Sequence, residues 1–345
     1  MFTSSKTMVG LDVGSSTIKA VELTKSGKSI TVTGFGQLDV DGTDPAAVAS
    51  GIADLMREGG FKTNHVVSKV SGQKVIVRFL SMAPMSDEEL RNAILFEAEK
   101  YIPFTLDECV MDCQRLDGPA SGDSAGTQSN VLLVAATKSH VSEQLSVLRE
   151  AGITPDVVDV DAFAIANAWS LSRTFSRDEE DAESATAIVD IGGAKTSVNV
   201  MVGGTSLFTR EIQIGGRAFT QAIARKFGID DAEAEGVKRS PGDNADAVRE
   251  AVFPTIDDLG NELVLSFDYF ENQCSKKIQK ILLSGGAARF DLVRESFEKI
   301  FERPTAVFNP FEGMPVADDL DQDLLAAGSP QLVVAAGLAS RILKG

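Results

Sequence analysis

Two carboxylates in near-identical surroundings carry most of the chemical information in this chain. Asp12 lies in VGLDVGSSTIK (9–19) and Asp190 in AIVDIGGAKTS (187–197). In each copy an apolar strand runs into Asp-x-Gly, turns through small residues and returns as a second strand with alternating apolar positions. A turn without bulky side chains lets backbone N–H groups approach phosphate oxygens, and glycine supplies the dihedrals of a tight turn. Gly14, Ser15 and Ser16 make the first turn, and Gly192 and Gly193 the second. Two such turns could grip one polyphosphate from both sides. A carboxylate at each strand end suits hydrated Mg²⁺, which keeps several waters and touches one or two carboxylates. Asp12 and Asp190 are the candidates, acting through water. Lys19, on the first returning strand, and Lys195 and Thr196, in the second copy, add donors for phosphate. One Asp-x-Gly turn alone reads equally as an ordinary polar hairpin; its repetition half a chain away favours the phosphate reading.

A third glycine pair extends the pattern. KILLSGGAARFDLVRESF (280–297) sets a short apolar strand before Gly285-Gly286 and a helical pattern after it, a strand, glycine turn and helix unit. Upstream, IGGRAFTQAIARKFGI opens a helix at Gly215-Gly216. Glu235 and Lys238 in AEAEGVKRSPG stand three apart, on one helical face, where they could meet a ribose or purine. Taken alone they read as a solvated surface pair.

The order of these motifs resembles the actin-like ATPase superfamily, which includes actin, the DnaK-type chaperones, sugar kinases and FtsA. Residues 9–19 and 187–199 resemble its two phosphate motifs, and 155–170 and 331–341 its two connecting segments. Residues 280–290 resemble its adenosine motif, which adds Arg289 to Gly285 and Gly286 as cofactor contacts. The resemblance implies an α/β, actin-like ATPase fold of two duplicated RNase H-like lobes with a small inserted α/β subdomain. The expected division is 1–184, with the insert at about 65–155, and 185–345, with a nucleotide-capping subdomain at about 215–275. ATP or ADP with Mg²⁺ is the implied cofactor. Asp161 lies where related enzymes carry a Gln or Glu that handles the attacking water, so it is the catalytic candidate. Its shorter side chain implies slow turnover or none.

Within the superfamily, VIVRFLSMAPMSDEELRNAILFEAEKYIPFTLDECVMDCQRL (75–116) resembles the type IV pilus assembly protein PilM family. That resemblance implies a protein that binds the N-terminal cytoplasmic tail of the inner-membrane protein PilN and links the membrane platform to the pilus motor. Motor ATPases, the platform protein and self-association are further candidate contacts. An FtsA-like filament protein and a small-molecule kinase of the same superfamily stay open as alternatives. Against the first, the chain ends at ILKG without room for an amphipathic membrane helix. Against the second, no acceptor-binding cluster follows either hairpin.

The 75–116 stretch also reads on its own terms. Ser86 with Glu89 is a capping-box signature, followed by Leu90, Ala93, Ile94 and Ala98 at helical spacing, in a helix that must stop before Pro103. Val75, Val77 and Phe79 alternate as a half-buried strand, and Val110 and Met111 begin another. A groove between helix and strand could accept an extended peptide. Phe79, Leu80, Met82, Ile102 and Phe104 are the candidate walls, with a place in the core as the alternative for each.

Composition narrows the class further. The chain has 345 residues, 43% hydrophobic and 24% charged, enough for two core-bearing lobes. Its longest apolar runs, such as VLLVAA at 131–136, fall well short of a membrane span, and the first residues lack an apolar signal core. The expected location is cytoplasmic, with membrane contact only through a partner. A net charge of −17 opposes nucleic acid and anionic lipid and favours basic partners. Cys109, Cys113 and Cys274 read as reduced thiols rather than zinc ligands. His65 and His140 stand outside any nucleophile context, which argues against a Ser-His-Asp hydrolase. Residues 117–130 read as a turn-rich loop and the acidic 176–184 as the boundary between lobes. The apolar positions from Val248 to Phe267 read as two helices broken near Pro254.

Overall fold

The computed structural model describes residues 5–116, 129–175 and 184–343. Most of the expected 117–130 loop and of the acidic 176–184 boundary therefore lies outside the described residues. The first part of the chain runs β1 (Lys6–Val13), β2 (Thr17–Ser26), β3 (Ser29–Asp39), α1 (Pro45–Glu58), β4 (Val66–Val70), β5 (Val75–Met82), α2 (Asp87–Ala98), β6 (Cys109–Arg115), β7 (Ser129–Thr137), α3 (Lys138–Glu150), β8 (Val157–Val160) and α4 (Asp161–Phe175). The second runs β9 (Ala185–Ile191), β10 (Thr196–Val202), β11 (Thr205–Ile212), α5 (Gly216–Phe227), α6 (Asp231–Arg239), α7 (Ala245–Cys274), β12 (Ile278–Ser284), α8 (Asp291–Phe301), β13 (Thr305–Val307), α9 (Gln322–Gly328) and α10 (Val333–Ala339).

Two five-stranded sheets repeat one topology. Their orders are β3-β2-β1-β4-β8 and β11-β10-β9-β12-β13. In both, a three-stranded antiparallel meander is extended by two parallel strands. The duplicated hairpins of the sequence are the β1–β2 and β9–β10 turns, so Asp12 and Asp190 end equivalent strands. This is the actin-like ATPase fold.

Each sheet is covered on both faces. Val9, Leu11, Ile18 and Ala20 of the first pack against Val48 and Ile52 of α1 and Leu148 of α3. Its other face receives the chain's last segment, with Leu325, Leu332, Ala335 and Ala339 against Val21, Leu23 and Val32. The stretch after β13 thus returns to the first lobe, drawn by apolar surface that the antiparallel meander would otherwise leave wet. Helices α4 and α10 lie between the sheets. Ala164, Ile165 and Ala168 of α4 and Val333, Val334 and Leu338 of α10 share one cluster with Val67 of the first sheet and Ile188 and Leu282 of the second. They correspond to the two connecting segments read at 155–170 and 331–341.

That junction is packed backbone to backbone. A Cβ on Gly337 would stand 1.7 Å from the Ala164 carbonyl oxygen, and one on Gly10 would stand 2.0 Å from that of Ala335. Gly337→Ala is expected to cost about 3 kcal/mol or more, because no flexible side chain can give way. A thermal melt checks it: the variant should lose about four degrees or more, the shift that penalty implies for a chain of this length.

The 245–274 region differs from its expected break. It forms one 30-residue helix with Pro254 inside it. Pro254 and Glu250, whose carbonyl loses its donor, both lie on the exposed face, where water satisfies that oxygen. The buried stripe Val248, Val252, Ile256, Leu259, Leu263 and Phe267 continues past the proline, and this packing outweighs the local penalty.

The inserted subdomain is a three-stranded antiparallel sheet, β5-β7-β6, with α2 packed on one face. The Ser86–Glu89 capping box is formed in both directions, and α2 ends at Ala98.

Candidate nucleotide cleft and peptide groove

Between the two lobes lies a cavity of ≈ 1580 Å³. Both hairpins face it. Their turns close alike, with Gly14 N–H donating to the Thr17 carbonyl at 3.1 Å and Gly192 N–H to that of Lys195 at 2.9 Å. The tips meet across the cleft: a Cβ on Gly193 would stand 2.6 Å from Ser16 Oγ. Arg217 reinforces the contact by donating to the Ser15 carbonyl at 3.1 Å. The glycines are needed for close approach rather than for unusual dihedrals, since none of Gly14, Gly192 and Gly193 has a positive φ. Gly285 does, at +85°, and a Cβ there would strike the Ile191 backbone.

Asp12 and Asp190 line the cavity but differ electrically. Both Asp12 oxygens are engaged, Oδ2 by Lys19 at 3.2 Å and Oδ1 by Lys69 at 3.3 Å. Burial pushes the Asp12 carboxyl up, yet the two ammonium groups outweigh it and hold it below the usual carboxylate range. Asp190 is half-buried, and desolvation raises its pKa; the hydroxyl of Ser284, donating at 2.8 Å, offsets this only in part. Asp190 is the carboxylate short of positive charge. Lys69 on β4 was not picked out from the sequence. Its signal was present, a lone charge among the valines of the short parallel strand VVSKV (66–70). Burial lowers the Lys69 pKa, but Asp12 and Asp161 more than reverse this, so it stays charged.

Asp161 opens α4 and faces the cavity. Its Oδ2 accepts a 2.7 Å bond from Lys195, which also pairs with Glu211 of β11. With that oxygen taken and Oδ1 accepting from Ala162 N–H, Asp161 is engaged as a charge partner. Thr196 departs from its expected role as a phosphate donor. Its hydroxyl is fully buried and donates to the Ile214 carbonyl at 2.7 Å, because alternation along β10 turns position 196 into the core and position 195 into the cleft.

The remaining candidates sit at the far end of the cavity. Gly216, Glu235, Lys238, Gly286 and Arg289 line it. Gly215 caps α5 against the second hairpin, where a Cβ would stand 2.7 Å from the Gly192 carbonyl oxygen. Lys238 binds Glu235 at 2.5 Å and Thr220 at 2.8 Å, and Arg289 binds Gln331 at 3.0 Å. Arg239 reaches across the cleft mouth to Asp39 at 3.0 Å.

In the insert, the five expected groove residues do not share a surface. Leu80 and Met82 line a depression of ≈ 430 Å³ with Ala93, Phe96 and Tyr101. Ile102 is buried and Phe104 packs into the same core beneath it. Phe79 pairs with Leu132 while Leu80 pairs with Val131, so Phe79 points to the opposite face of the sheet. Consecutive strand residues cannot wall one groove. Phe96, 78% exposed, is the wall residue that the sequence reading missed; it is an aromatic off the buried stripe of α2.

The profile of the type IV pilus assembly protein PilM matches residues 10–343. This chain belongs to the PilM family. It is similar to a chain of the PilM-PilN type IV pilus biogenesis complex, with a TM-score of 0.84 and 30% identity over 97% of this chain and 98% of that one. Among curated relatives, the cell division protein FtsA of Escherichia coli K12 is 23% identical, covering 68% of this chain. The chain spans 60% of that relative's length. FtsA of Pseudomonas aeruginosa PAO1 is also 23% identical, over 94% of this chain and 88% of its own. The ethanolamine utilization protein EutJ from Carboxydothermus hydrogenoformans, with a TM-score of 0.56 and 16% identity over 97% of this chain and 89% of that one, shares the fold. Membership of the PilM family makes this a pilus-assembly protein of actin-like fold. No single helix among the described residues is long and apolar enough to cross a membrane.

Proposed function

We propose that this chain is a nucleotide-controlled adaptor of type IV pilus assembly. It binds ATP or ADP with Mg²⁺ in the cleft and the N-terminal cytoplasmic peptide of a PilN-type inner-membrane protein on the inserted subdomain, linking the membrane platform to the pilus motor. The observation that carries the reading is the pair of tip-to-tip hairpins over a cavity lined by Lys19, Lys69 and Lys195. Three ammonium groups facing two glycine turns suit a polyphosphate.

The donor set also fits Mg²⁺ in a particular way. Among the described residues no cluster of three or more His, Cys, Asp or Glu could hold a metal by itself. Mg²⁺ commonly relies on one carboxylate, waters and substrate phosphates, and Asp190 is the residue to supply that carboxylate, since Asp12 is neutralised by its lysines. Held at Asp190, Mg²⁺ would supply positive charge against the phosphates. The chain's own part is to cradle the phosphates on hairpin amides and hold Lys195 beside them. Asp161 would stand about one methylene farther from an attacking water than a Glu at its place, which favours binding over turnover.

The peptide half is supported by the similarity to the PilM-PilN complex and by the depression at Leu80, Met82 and Phe96. Calorimetric titration with a synthetic peptide of the cognate PilN N-terminus tests it. Saturable binding at 1:1 is expected, and absence of binding to the folded chain would reject the adaptor reading.

A further inference from the structure

Glu211 is the residue through which the second lobe holds the root of the inserted subdomain. Its Oε1 pairs with Lys195 of the second hairpin. The same oxygen, Oε1, also accepts the Gly72 N–H of the first lobe at 3.2 Å. Gly72 sits at φ +92° in the turn that launches β5, its carbonyl taking the Val75 N–H at 2.9 Å. The neighbouring Ser71 carbonyl accepts from His140 Nε2 at 2.9 Å. The turn is therefore fixed from two sides, by α3 within its own lobe and by Glu211 from the other. The strand it launches carries Leu80 and Met82 of the groove.

We infer that Glu211 couples the phosphate site to the peptide groove. This rests on the nucleotide binding proposed above. A polyphosphate arriving between the hairpins competes with Asp161 and Glu211 for the Lys195 ammonium. As Lys195 turns to phosphate, the Glu211 carboxylate loses its counter-charge and faces new negative charge. It withdraws, and the Gly72 N–H loses its acceptor. Nucleotide thus loosens the anchor of β5 without touching the insert, and by reciprocity a ligand that holds β5 in one place changes nucleotide affinity.

Amide hydrogen exchange over 71–82, with and without Mg-ATP, reads this directly. In the wild-type chain nucleotide should speed exchange there about fivefold, the low end of typical couplings. Glu211→Ala should show fast exchange in both conditions, and its nucleotide response should vanish while nucleotide still binds. Glu211→Gln, which keeps an acceptor for Gly72 but no charge, should show slow exchange in both. A purely structural Glu211 would instead shift exchange by the same factor with and without nucleotide. A nucleotide response of wild-type size in either variant, or none in a nucleotide-bound wild type, overturns the inference. Failure of Mg-ATP to bind the wild-type chain, measured separately by calorimetry, removes the reading beneath it.

Discussion

Asp190→Asn is expected to make the nucleotide-free chain more stable and to weaken Mg-dependent nucleotide binding about 10–100-fold, the usual cost of disturbing a metal's supporting shell. The two effects have one cause. Asp190 is half-buried with its pKa raised by desolvation, held chiefly by one hydroxyl, so its charge at neutral pH opposes folding. Asparagine keeps an acceptor for Ser284 and removes that charge, a gain of about 1 kcal/mol. The pH dependence follows the same sign. A carboxyl whose pKa is raised in the folded state binds its proton more tightly there, so its penalty fades as pH falls through that raised value toward 3.8. Asp12 behaves oppositely: with its pKa lowered, the stability it contributes is complete above 3.8 and is lost as pH falls through the lower folded value. Melting curves of wild type and Asp190→Asn between pH 4 and 7 separate them, because only the wild type should lose the Asp190 penalty as the medium is acidified. A variant that melts lower and still binds Mg-ATP like wild type would make Asp190 a structural residue.

Phe96→Asp is expected to weaken the PilN-type peptide about 30-fold, the loss typical of an aromatic hot spot, and to leave nucleotide affinity and the melting temperature in place. Phe96 is 78% exposed, so replacing it strands no core atom. Placing the charge at Leu80, 9% exposed in the core of the insert, should instead unfold the subdomain and lose the peptide for a different reason. Thermal melts beside the peptide titrations distinguish the two. Unchanged peptide affinity in Phe96→Asp would place the groove elsewhere.

The parts of this molecule legible in its sequence are those written in short, repeated, local patterns. The Asp-x-Gly hairpins recur with the same strand context, and the capping box at Ser86 and Glu89 dictates a helix start by itself. Tertiary choices were less legible. Thr196 and Lys195 are equally polar, and only the phase of β10 decides that one is buried and the other faces the cleft. Phe79 and Leu80 are equally apolar, and only sheet pairing sends them to opposite faces. Pro254 looked like a helix end because local rules penalise it, whereas a buried stripe about five turns long carries the helix through. Glu211 and Arg217 make their partners across the lobes, over separations of 139 and 202 residues, which no local pattern encodes. Lys69 is the exception, a readable signal in a strand that should have been apolar.

Titrating Mg-ATP into the purified chain by calorimetry, while following phosphate release, tests the central claim that the cleft is a nucleotide switch rather than a catalytic centre. The account predicts saturable 1:1 binding that weakens when Mg²⁺ is removed, with turnover below about 0.1 s⁻¹, far under the ~10 s⁻¹ of a typical enzyme. Absence of saturable binding, or release at many turnovers per second from the chain alone, would contradict it.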